Sequence, residues 1–378
     1  MALHFNFAHR AFLTSAIALT VGLASCQQTP PSGPQGSSPA PGGNTAANGN
    51  AGGGQTIALS GAGASFPAPL YQRWFSEYKK QNPTVEISYQ SVGSGAGVKQ
   101  FLAETVDFGA SDAPLKEDER QGFPAKRGQA IQIPMTGGAV VFAYNLDGVD
   151  NLKLSREAYC GIVQGDIKTW NDPKIVQDNP GVNLPSNPIT FVHRSDGSGT
   201  TFIFTTHLKA ACPNWTAGAS KAVQWPAGFV GAKGNEGVTA QVQQTPGAVG
   251  YTEYSYAKEN NLKSATLQNK GGEFIAPSPE ASAKAFAGVT VPEDFSLVIP
   301  DPEAKDAYPI NGLTWLLVYS QYDDPAKADA LKNMVKWALS NGDQYAQELG
   351  YVPLPDELAN RVVATLDTIK VAAATPAQ

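Results

Sequence analysis

Two spacings of hydrophobic residues alternate along the chain after residue 57. Short runs rich in β-branched and aromatic residues, at residues 86–90, 131–133, 139–145 and 189–193, are typical of β-strands. Between them, apolar residues recur every three or four positions, which predicts helices with one buried face. This alternation of strands and helices predicts an α/β fold with mainly parallel sheets.

Four apolar stripes indicate helices most clearly. They consist of Leu70, Trp74 and Tyr78; Val98, Phe101 and Leu102; Leu331, Met334 and Trp337; and Leu358, Val362, Leu366 and Ile369. A further helix is predicted at residues 199–210. The pair Asp324-Pro325 predicts the start of the third striped helix, because Asp caps helix N-termini and Pro is tolerated at the first helical position.

The N-terminal region has a different pattern. Residues 11–24 are apolar or small and follow Arg10, and the run is shorter than the ~20 residues that span a bilayer. These features predict a secretory signal peptide over residues 1–25. The sequence Leu-Ala-Ser-Cys at residues 23–26 resembles the lipobox of bacterial lipoproteins, in which the cysteine, here Cys26, carries lipid. An ordinary signal peptide with a chance cysteine is the alternative.

A disordered tether is predicted at residues 26–56. After Cys26, this segment contains only Gln, Thr, Pro, Ser, Gly, Ala and Asn. It lacks the apolar surface that would offset its ordering entropy, so we expect it to hold the folded part away from the membrane. Residues 57–371 are enough for two ordinary domains, followed by a tail at 372–378.

The mature chain is acidic. Loss of Arg10 with the leader reduces the 27 lysines and arginines to 26 against 33 acidic residues, a net charge of about −7. A nucleic-acid-binding protein would show a basic footprint, which is missing here. Any anion site must therefore use local donors rather than attraction by the whole protein.

Three cysteines are present in the sequence. If Cys26 carries lipid, Cys160 and Cys212 remain as an even pair. In an oxidising compartment these two would form a disulfide, although two separate buried thiols are the alternative, since spacing alone does not establish bonding geometry.

Three segments rich in Gly and Ser each precede a predicted helix. They are residues 60–67 (Ser-Gly-Ala-Gly-Ala-Ser-Phe-Pro), 93–97 (Gly-Ser-Gly-Ala-Gly) and 194–201 (Arg-Ser-Asp-Gly-Ser-Gly-Thr-Thr). The first turn of a helix has unpaired backbone N–H groups and partial positive charge. Glycine allows a close approach to a ligand, and hydroxyls add donors. Three such loops around one point would bind an anion, with Arg194 as a planar cation suited to oxyanions.

Two carboxylates lie in or near these segments. Asp196 would hold the guanidinium of Arg194 in place, or otherwise only form a turn. Asp112 would accept a hydrogen bond from the ligand, or otherwise cap the segment at 116–120. The ligand role would set specificity, because a carboxylate repels fully deprotonated sulfate, whereas phosphate near neutral pH keeps a P–OH group that donates to it.

Motifs at these positions resemble those of the phosphate-binding proteins of ABC phosphate importers. The resemblance is carried by Gly-Ala-Gly-Ala-Ser-Phe-Pro-Ala-Pro at 61–69, Val-Asp-Phe-Gly-Ala-Ser-Asp-Ala-Pro at 106–114 and Arg-Ser-Asp-Gly-Ser-Gly-Thr at 194–200, with weaker similarity at 137–141, 167–172, 225–226, 234–237 and 247–256. It implies the type II periplasmic-binding-protein fold: α/β, with two lobes that each contain a mainly parallel sheet flanked by helices. The ligand would lie in the cleft between lobes.

The resemblance also implies a phosphate site and a transport role. The implied ligand set is Ser65, the Phe66 backbone, Ser94, Asp112, Arg194, Ser198, Gly199 and Thr200, with Asp196 bracing the arginine. Lobe one would comprise residues 57–135 and 309–371, and lobe two residues 136–308. Phosphate would be delivered to the transmembrane subunits of an ABC importer on the periplasmic or cell-surface side of the bacterial inner membrane. We expect a monomer that contacts the membrane through its lipid only and needs neither cofactor nor metal.

Other functions remain open from the residues alone. A phosphoester hydrolase would use Ser198 or Ser94 as nucleophile and His193 as base, but the chain has neither Gly-x-Ser-x-Gly nor His-Glu-x-x-His. A nucleotide-binding module would show Gly-x-x-x-x-Gly-Lys-Ser/Thr, which is missing too. A binder of sulfate or molybdate is the third alternative, and Asp112 argues against it.

Overall fold

The computed structural model describes residues 56–371, which belong to one compact unit. The predicted signal peptide, Cys26, the tether up to residue 55 and the tail at 372–378 lie outside the described residues. Within residues 56–371, no helix is both long and apolar enough to cross a membrane.

Strands and helices alternate through most of the described chain. The first half contains β1 (Ile57–Gly63), α1 (Ala68–Gln81), β2 (Val85–Ser91), α2 (Ser94–Leu102), β3 (Phe108–Ser111), α3 (Glu117–Gln121), a 3-10 turn (Ala125–Arg127), β4 (Ala130–Tyr144), β5 (Lys153–Leu154), α4 (Arg156–Gln164), α5 (Pro173–Asp178), β6 (Thr190–Arg194) and α6 (Gly199–Ala211). The second half contains β7 (Val230–Ala232), α7 (Gly234–Gln244), β8 (Ala248–Glu253), α8 (Tyr254–Glu259), β9 (Lys263–Ser264), β10 (Thr266–Gln268), β11 (Phe274–Ile275), α9 (Pro279–Phe286), β12 (Asn311–Tyr319), β13 (Gln321–Tyr322), α10 (Pro325–Asn341), α11 (Asp343–Leu349), α12 (Asp356–Leu366) and β14 (Lys370–Val371).

One large sheet organises the molecule, with the strand order β2-β1-β3-β12-β4-β8-β6-β7 and β9 paired to β4. β1 pairs in parallel with β2 and β3, and β6 pairs in parallel with β7 and β8. The central strands β4 and β12 run antiparallel to their neighbours. The predicted α/β class is thus confirmed. We call β1, β2 and β3 with the loops that follow them the β1–β3 side, and β6, β7 and β8 with theirs the β6–β8 side.

The strands predicted at residues 86–90 and 189–193 correspond to β2 and β6. Those predicted at 131–133 and 139–145 are parts of one strand, β4. Pro134, Gly137 and Gly138 lie within or beside the gap between the two predicted segments, and both residue types disfavour a continuous strand, because Pro cannot donate to a ladder and Gly weakens a strand interior. The strand is nevertheless continuous, because β12 pairs along the first part of β4. A register shift between Thr314 and Trp315 accommodates the irregularity near Pro134.

The predicted helical stripes face the core. Leu70, Trp74 and Tyr78 on α1 are buried, as are the stripes of α10 and α12. The Asp324 side chain caps α10 by accepting hydrogen bonds from the backbone N–H groups of Ala326 and Lys327. α12 ends at Leu366, so the buried Ile369 lies in the following turn rather than on the helix.

A covalent link joins two helices on the β6–β8 side. Cys160 in α4 and Cys212, which follows the last residue of α6, are bonded through their sulfur atoms, and their Cα atoms are 5.5 Å apart. Both side chains are buried. The link lies at the end of α6 that is remote from Gly199, within the apolar core.

Candidate functional site

The β1–β3 side brings three predicted residues to one edge of the sheet. Gly63 is in register with Ser91 of β2 and with Ala110 of β3, so these parallel strands end at the same level. Their carboxyl ends are followed at once by Ser65, Ser94 and Asp112, each at most 1% exposed. Loops that follow parallel strands meet at one edge, the usual location of ligands in α/β folds.

The β6–β8 side repeats this arrangement. Arg194, the last residue of β6, is in register with Ala232 at the end of β7. Two helices begin just beyond these strands, α6 at Gly199 and α7 at Gly234. Ser198 caps α6, because its Oγ accepts a hydrogen bond of 3.0 Å from the Thr201 N–H.

The two sides touch through backbone and hydroxyl groups. The Gly199 N–H donates to Ser94 Oγ at 3.1 Å, and the Gly95 N–H donates to the Gly197 carbonyl at 2.7 Å. A methyl group on Gly199 would lie 2.5 Å from Ser94 Oγ and 2.6 Å from Asp112 Oδ2. Only glycine allows this approach, which explains the Gly-rich sequence of both loops.

Arg194 lies at the centre of a hydrogen-bonded cluster. Its Nε and Nη2 donate to Asp196 Oδ1 and Oδ2 at 2.7 and 2.6 Å, a bidentate pair that holds the guanidinium plane. Its Nη1 lies 3.4 Å from both Thr200 Oγ1 and Asn235 Oδ1. The arginine side chain is only 1% exposed.

The Arg194–Asp196 pair remains ionised. Burial acts to raise the pKa of Asp196, but the hydrogen bonds and charge of Arg194 outweigh it and leave that pKa below its usual value. Burial also acts to lower the pKa of Arg194, and the pairing with Asp196 more than offsets this, so the guanidinium stays charged. The two formal charges cancel, and the attraction of the site for an anion must come largely from hydrogen-bond donors.

Asp112 has a different environment. Its Oδ1 accepts a hydrogen bond of 2.7 Å from Thr314 Oγ1, and its Oδ2 lies 3.5 Å from Ser94 Oγ, at the limit of hydrogen bonding. Burial raises the pKa of Asp112 to about 7, against the opposing effects of Thr314, Arg194 and Ser94. Its Oδ2 can therefore either accept a proton from a ligand or hold one near neutral pH.

Four buried hydroxyls at the site accept hydrogen bonds from internal N–H groups. Ser65 Oγ accepts from the Asn235 N–H, Ser198 Oγ from the Thr201 N–H, Thr200 Oγ1 from Asn235 Nδ2, and Ser94 Oγ from the N–H groups of Asp112 and Gly199. Among residues 56–371, apart from the long contact between Ser94 and Asp112, no acceptor takes up the hydrogens of these hydroxyls. The hydroxyls are thus oriented as donors to a ligand oxygen.

All nine predicted site residues lie at this junction of the two sides. Ser65 and Phe66 belong to the loop before α1, where Tyr256 and Tyr351 donate to their carbonyl oxygens at 2.6 and 2.7 Å. The others are Ser94, Asp112, Arg194, Asp196, Ser198, Gly199 and Thr200. The structure brings together segments that are far apart in sequence.

The structure adds two residues that the sequence did not single out. Asn235 is fully buried at the start of α7 and contacts Ser65, Thr200 and Arg194 through different atoms. The Gly-Asn-Glu-Gly sequence at 234–237 was a weak signal of its importance. Thr314 lies in the middle of β12, where its sequence context indicates only a strand.

The candidate base of a hydrolase is occupied elsewhere. His193 Nδ1 lies 2.9 Å from the Arg194 carbonyl, and its ring stacks on Trp225. Burial lowers the pKa of His193. Neither Ser94 nor Ser198 is hydrogen-bonded to a histidine in the part of the chain that the structure describes. The same residues contain no cluster of three or more His, Cys, Asp or Glu side chains able to hold a metal.

Comparison with known proteins identifies relatives of the whole folded part. A family model described as a PBP superfamily domain matches residues 40–342. The phosphate-binding protein PstS of Pasteurella multocida is 41% identical over 320 residues, covering 83% of this chain and 91% of that protein. PstS of Methanocaldococcus jannaschii is 39% identical over 340 residues, covering 83% and 87%.

Solved structures agree with this result. The structure of PfluDING, a high-affinity periplasmic phosphate-binding protein bound with phosphate at pH 8.5, superimposes with a TM-score of 0.70 at 25% identity, covering 82% of this chain and 93% of that chain. The predicted two-lobed periplasmic-binding-protein fold is confirmed. Given the family match over most of the chain and the identity across nearly the full length of its relatives, this chain belongs to the PBP superfamily and, within it, to the family of the PstS phosphate-binding proteins.

Proposed function

We propose that this protein binds inorganic phosphate outside the cytoplasm and delivers it to an ABC-type importer. The names of its relatives support the phosphate ligand, and the protein with the superimposed structure is described as periplasmic. Within the structure, the proposal rests on the four hydroxyls of the site. Internal N–H groups donate to their oxygens, so their hydrogens are available for a ligand. A small oxyanion with four acceptor oxygens matches such a donor set.

The ligand set that we propose is Ser65, the Phe66 backbone, Ser94, Asp112, Arg194, Ser198, Gly199 and Thr200, with Asp196 holding Arg194. The starts of α2 and α6 would add partial positive charge. Because Arg194 and Asp196 neutralise each other, the site would bind phosphate through oriented dipoles rather than through net charge.

Asp112 would distinguish phosphate from sulfate. In the complex, one proton would lie between Asp112 Oδ2 and a phosphate oxygen, and the hydrogen bond forms whether the proton is bonded to the carboxyl or to the phosphate. Sulfate brings no proton near neutral pH, so its oxygen would face an ionised carboxylate or require a proton that Asp112 supplies. The burial that raises the pKa of Asp112 makes this discrimination a property of the fold.

Phosphate binding would be coupled to closure of two lobes. We propose lobe one at residues 57–135 and 309–371 and lobe two at 136–308, a division that falls within β4 and shortly before β12. The contacts of Gly199 with Ser94 and of Gly95 with Gly197 would then join the lobes only in the closed form.

Membrane attachment would depend on Cys26. Lipid on this residue, followed by the tether at residues 26–56, would keep the monomeric folded part near the importer. Labelling with a radioactive fatty acid should mark the wild-type protein and leave the Cys26→Ala variant unlabelled. Equal labelling of both would contradict the lipoprotein assignment.

Calorimetric titration with phosphate and sulfate at neutral pH tests the binding function. We expect one phosphate per chain, and sulfate weaker by on the order of 10⁴-fold. Equal affinity for the two anions would contradict the role of Asp112, and no heat from either would contradict the function. Steady turnover of a chromogenic phosphate ester that is lost in Ser198→Ala would instead favour a hydrolase.

A further inference from the structure

A buried carboxyl outside the phosphate ligand set is linked to the loop before α1. Glu253 ends β8, is completely buried, and contacts the Ser255 backbone N–H and hydroxyl. Ser255 Oγ lies 2.9 Å from the Tyr351 hydroxyl, which contacts the Phe66 carbonyl at 2.7 Å. A chain of four groups therefore connects Glu253 to Phe66.

Counting hydrogens along this chain determines the state of Glu253. The Phe66 carbonyl can only accept, so the single Tyr351 hydroxyl hydrogen is donated to it. Ser255 must then donate its own hydrogen to Tyr351. With that hydrogen used, the close contact between Ser255 Oγ and Glu253 Oε2 requires a hydrogen from Glu253. All three hydrogen bonds form together only if the Glu253 carboxyl is protonated.

We propose that Glu253 is a positioning residue: its protonated form holds the Phe66 loop in the geometry that binds phosphate, and its ionised form releases that loop. This inference rests on the proposed phosphate-binding function. Glu253 would not touch phosphate, and it would act through Ser255 and Tyr351.

The surroundings of Glu253 favour the protonated form. A methyl group added at Gly138 would lie 3.5 Å from Glu253 Oε1 and 3.0 Å from Cζ of the Phe66 ring, so the carboxyl has backbone and an aromatic ring nearby, neither of which titrates. The titratable groups that face it are Tyr351 from the segment after α11 and Tyr254, Tyr256 and Glu259 from α8. No lysine, arginine or histidine within residues 56–371 pairs with it. Burial raises the pKa of Glu253 to about 8, which agrees with the hydrogen count.

Ionisation would reverse the order of donors. An ionised Glu253 would accept a hydrogen bond from the Ser255 hydroxyl. The Ser255 and Tyr351 oxygens would then face each other with no hydrogen between them. Tyr351 would relieve this repulsion by turning its hydrogen toward Ser255 and away from Phe66. Because the phosphate-binding state favours the proton on Glu253, affinity should be highest at low pH and fall as pH rises through the alkaline range.

Phosphate titrations of wild type and Glu253→Gln across pH test this proposal. The glutamine amide donates to Ser255 at every pH. Asp112 and phosphate itself titrate equally in both proteins, so their effects cancel in the ratio of wild-type Kd to variant Kd. We expect this ratio to rise about tenfold between about pH 6 and about pH 9, the loss of roughly one buried hydrogen bond. A constant ratio would overturn the proposal.

Two tyrosine variants separate this linkage from simple loss of packing. Tyr351→Phe interrupts the chain and should give the same pH profile as Glu253→Gln. Tyr256→Phe removes a donor to the neighbouring carbonyl of Ser65, and this hydroxyl makes no hydrogen bond to Glu253, Ser255 or Tyr351 in the described residues, so the variant should weaken binding while keeping the wild-type pH slope. A wild-type slope in Tyr351→Phe would also overturn the proposal.

Infrared spectroscopy tests the protonation of Glu253 in the wild-type protein, so it does not depend on whether the variants fold or bind phosphate. The phosphate-bound protein at neutral pH should show a protonated-carboxyl C=O band that shifts on selective isotope labelling of the glutamate carboxyls, which assigns the band to a glutamate and excludes Asp112. Its complete replacement by carboxylate bands would disprove the assignment. If the wild type, Glu253→Gln and Tyr351→Phe all bind phosphate near pH 6 and their Kd values change equally with pH, the role of Glu253 is refuted and the binding function remains intact.

Discussion

One aspartate of the site belongs to the β1–β3 side and the other to the β6–β8 side, and their electrostatic roles are opposite. Asp196, on the β6–β8 side, makes two hydrogen bonds to Arg194, and its pKa is below the usual value. Asp112, on the β1–β3 side, is paired mainly with the neutral hydroxyl of Thr314, and burial raises its pKa to about 7. The same side-chain type is thus a permanent counter-ion on one side and a proton-sensitive group on the other.

We expect this difference to separate affinity from selectivity. The β6–β8 side holds the guanidinium of Arg194 and the start of α6, whose N–H donors would bind any oxyanion. The β1–β3 side holds the carboxyl that would distinguish one oxyanion from another. Substitutions on the two sides should therefore change different quantities.

Removing the cation should have the largest effect. Arg194→Met takes away the guanidinium donors and leaves Asp196 buried without its partner. We expect phosphate affinity to fall by on the order of 10³-fold, measured by calorimetry. The matched control is Arg73→Met on α1, where a half-exposed arginine pairs with Glu77 and affinity should not change. If phosphate affinity fell less than tenfold in Arg194→Met, the assignment of affinity to the β6–β8 side would be contradicted.

Replacing the proton-sensitive carboxyl should change selectivity more than affinity. The side-chain amide introduced by Asp112→Asn can donate to sulfate, so the ratio of sulfate Kd to phosphate Kd should fall by on the order of 10²-fold. Asp107→Asn is a suitable control, since Asp107 contacts Ser60 and Lys327 away from the site. An unchanged ratio in Asp112→Asn would show that selectivity originates elsewhere.

The same carboxyl should make selectivity depend on pH. Below about pH 7, Asp112 in the closed site holds a proton that it can donate to sulfate, and above that pH the carboxylate repels sulfate. The preference for phosphate should therefore increase by about tenfold per pH unit above neutrality, until sulfate binding is no longer measurable. Competition titrations at several pH values would detect this, and a flat preference in the wild type would contradict the assignment.

Asn235 should have a moderate effect on affinity. Asn235→Ala removes the side-chain contacts with Thr200 and Arg194 but keeps the backbone N–H that donates to Ser65. We expect phosphate to bind about tenfold more weakly, from loss of one or two buried hydrogen bonds. Asn145→Ala removes hydrogen bonds at the other end of α7 and should lower stability without altering affinity. Equal affinities for Asn235→Ala and wild type would assign Asn235 to the scaffold.

The smallest effect should come from an ion pair that joins the two sides. Lys221 Nζ lies 2.7 Å from Glu119 Oε1, and the Lys221 carbonyl accepts a hydrogen bond from the Ser198 N–H. Lys221→Met should increase the phosphate dissociation rate about threefold, and reversing both charges should restore it. Lys174→Met, which breaks the exposed pair with Glu157, provides the control. No change in the rate would show that the pair does not contribute to closure.

Local sequence signals predicted three strands (β2, β4 and β6), five helices (α1, α2, α6, α10 and α12) and the positions of the binding loops. The Asp324-Pro325 start of α10 and the glycines before α2 and α6 depend on the conformations of a few neighbouring residues. The continuity of β4 was not predictable in this way, because Pro134 and the adjacent glycines indicate a break that only pairing with β12 removes. Asn235 was missed for a similar reason, since its contacts are with Ser65, Thr200 and Arg194 rather than with its neighbours.

By itself, the amino-acid sequence determined the α/β class, the Gly- and Ser-rich loops before helices, and the residue types able to bind an oxyanion. Only the tertiary structure decided the protonation and orientation of those groups. Asp112 meets Thr314 across 202 positions of sequence, and Phe66 meets Tyr351 across 285. Burial and these distant partners set the pKa of a carboxyl and the direction of a hydroxyl, and neither quantity belongs to a residue outside its folded surroundings.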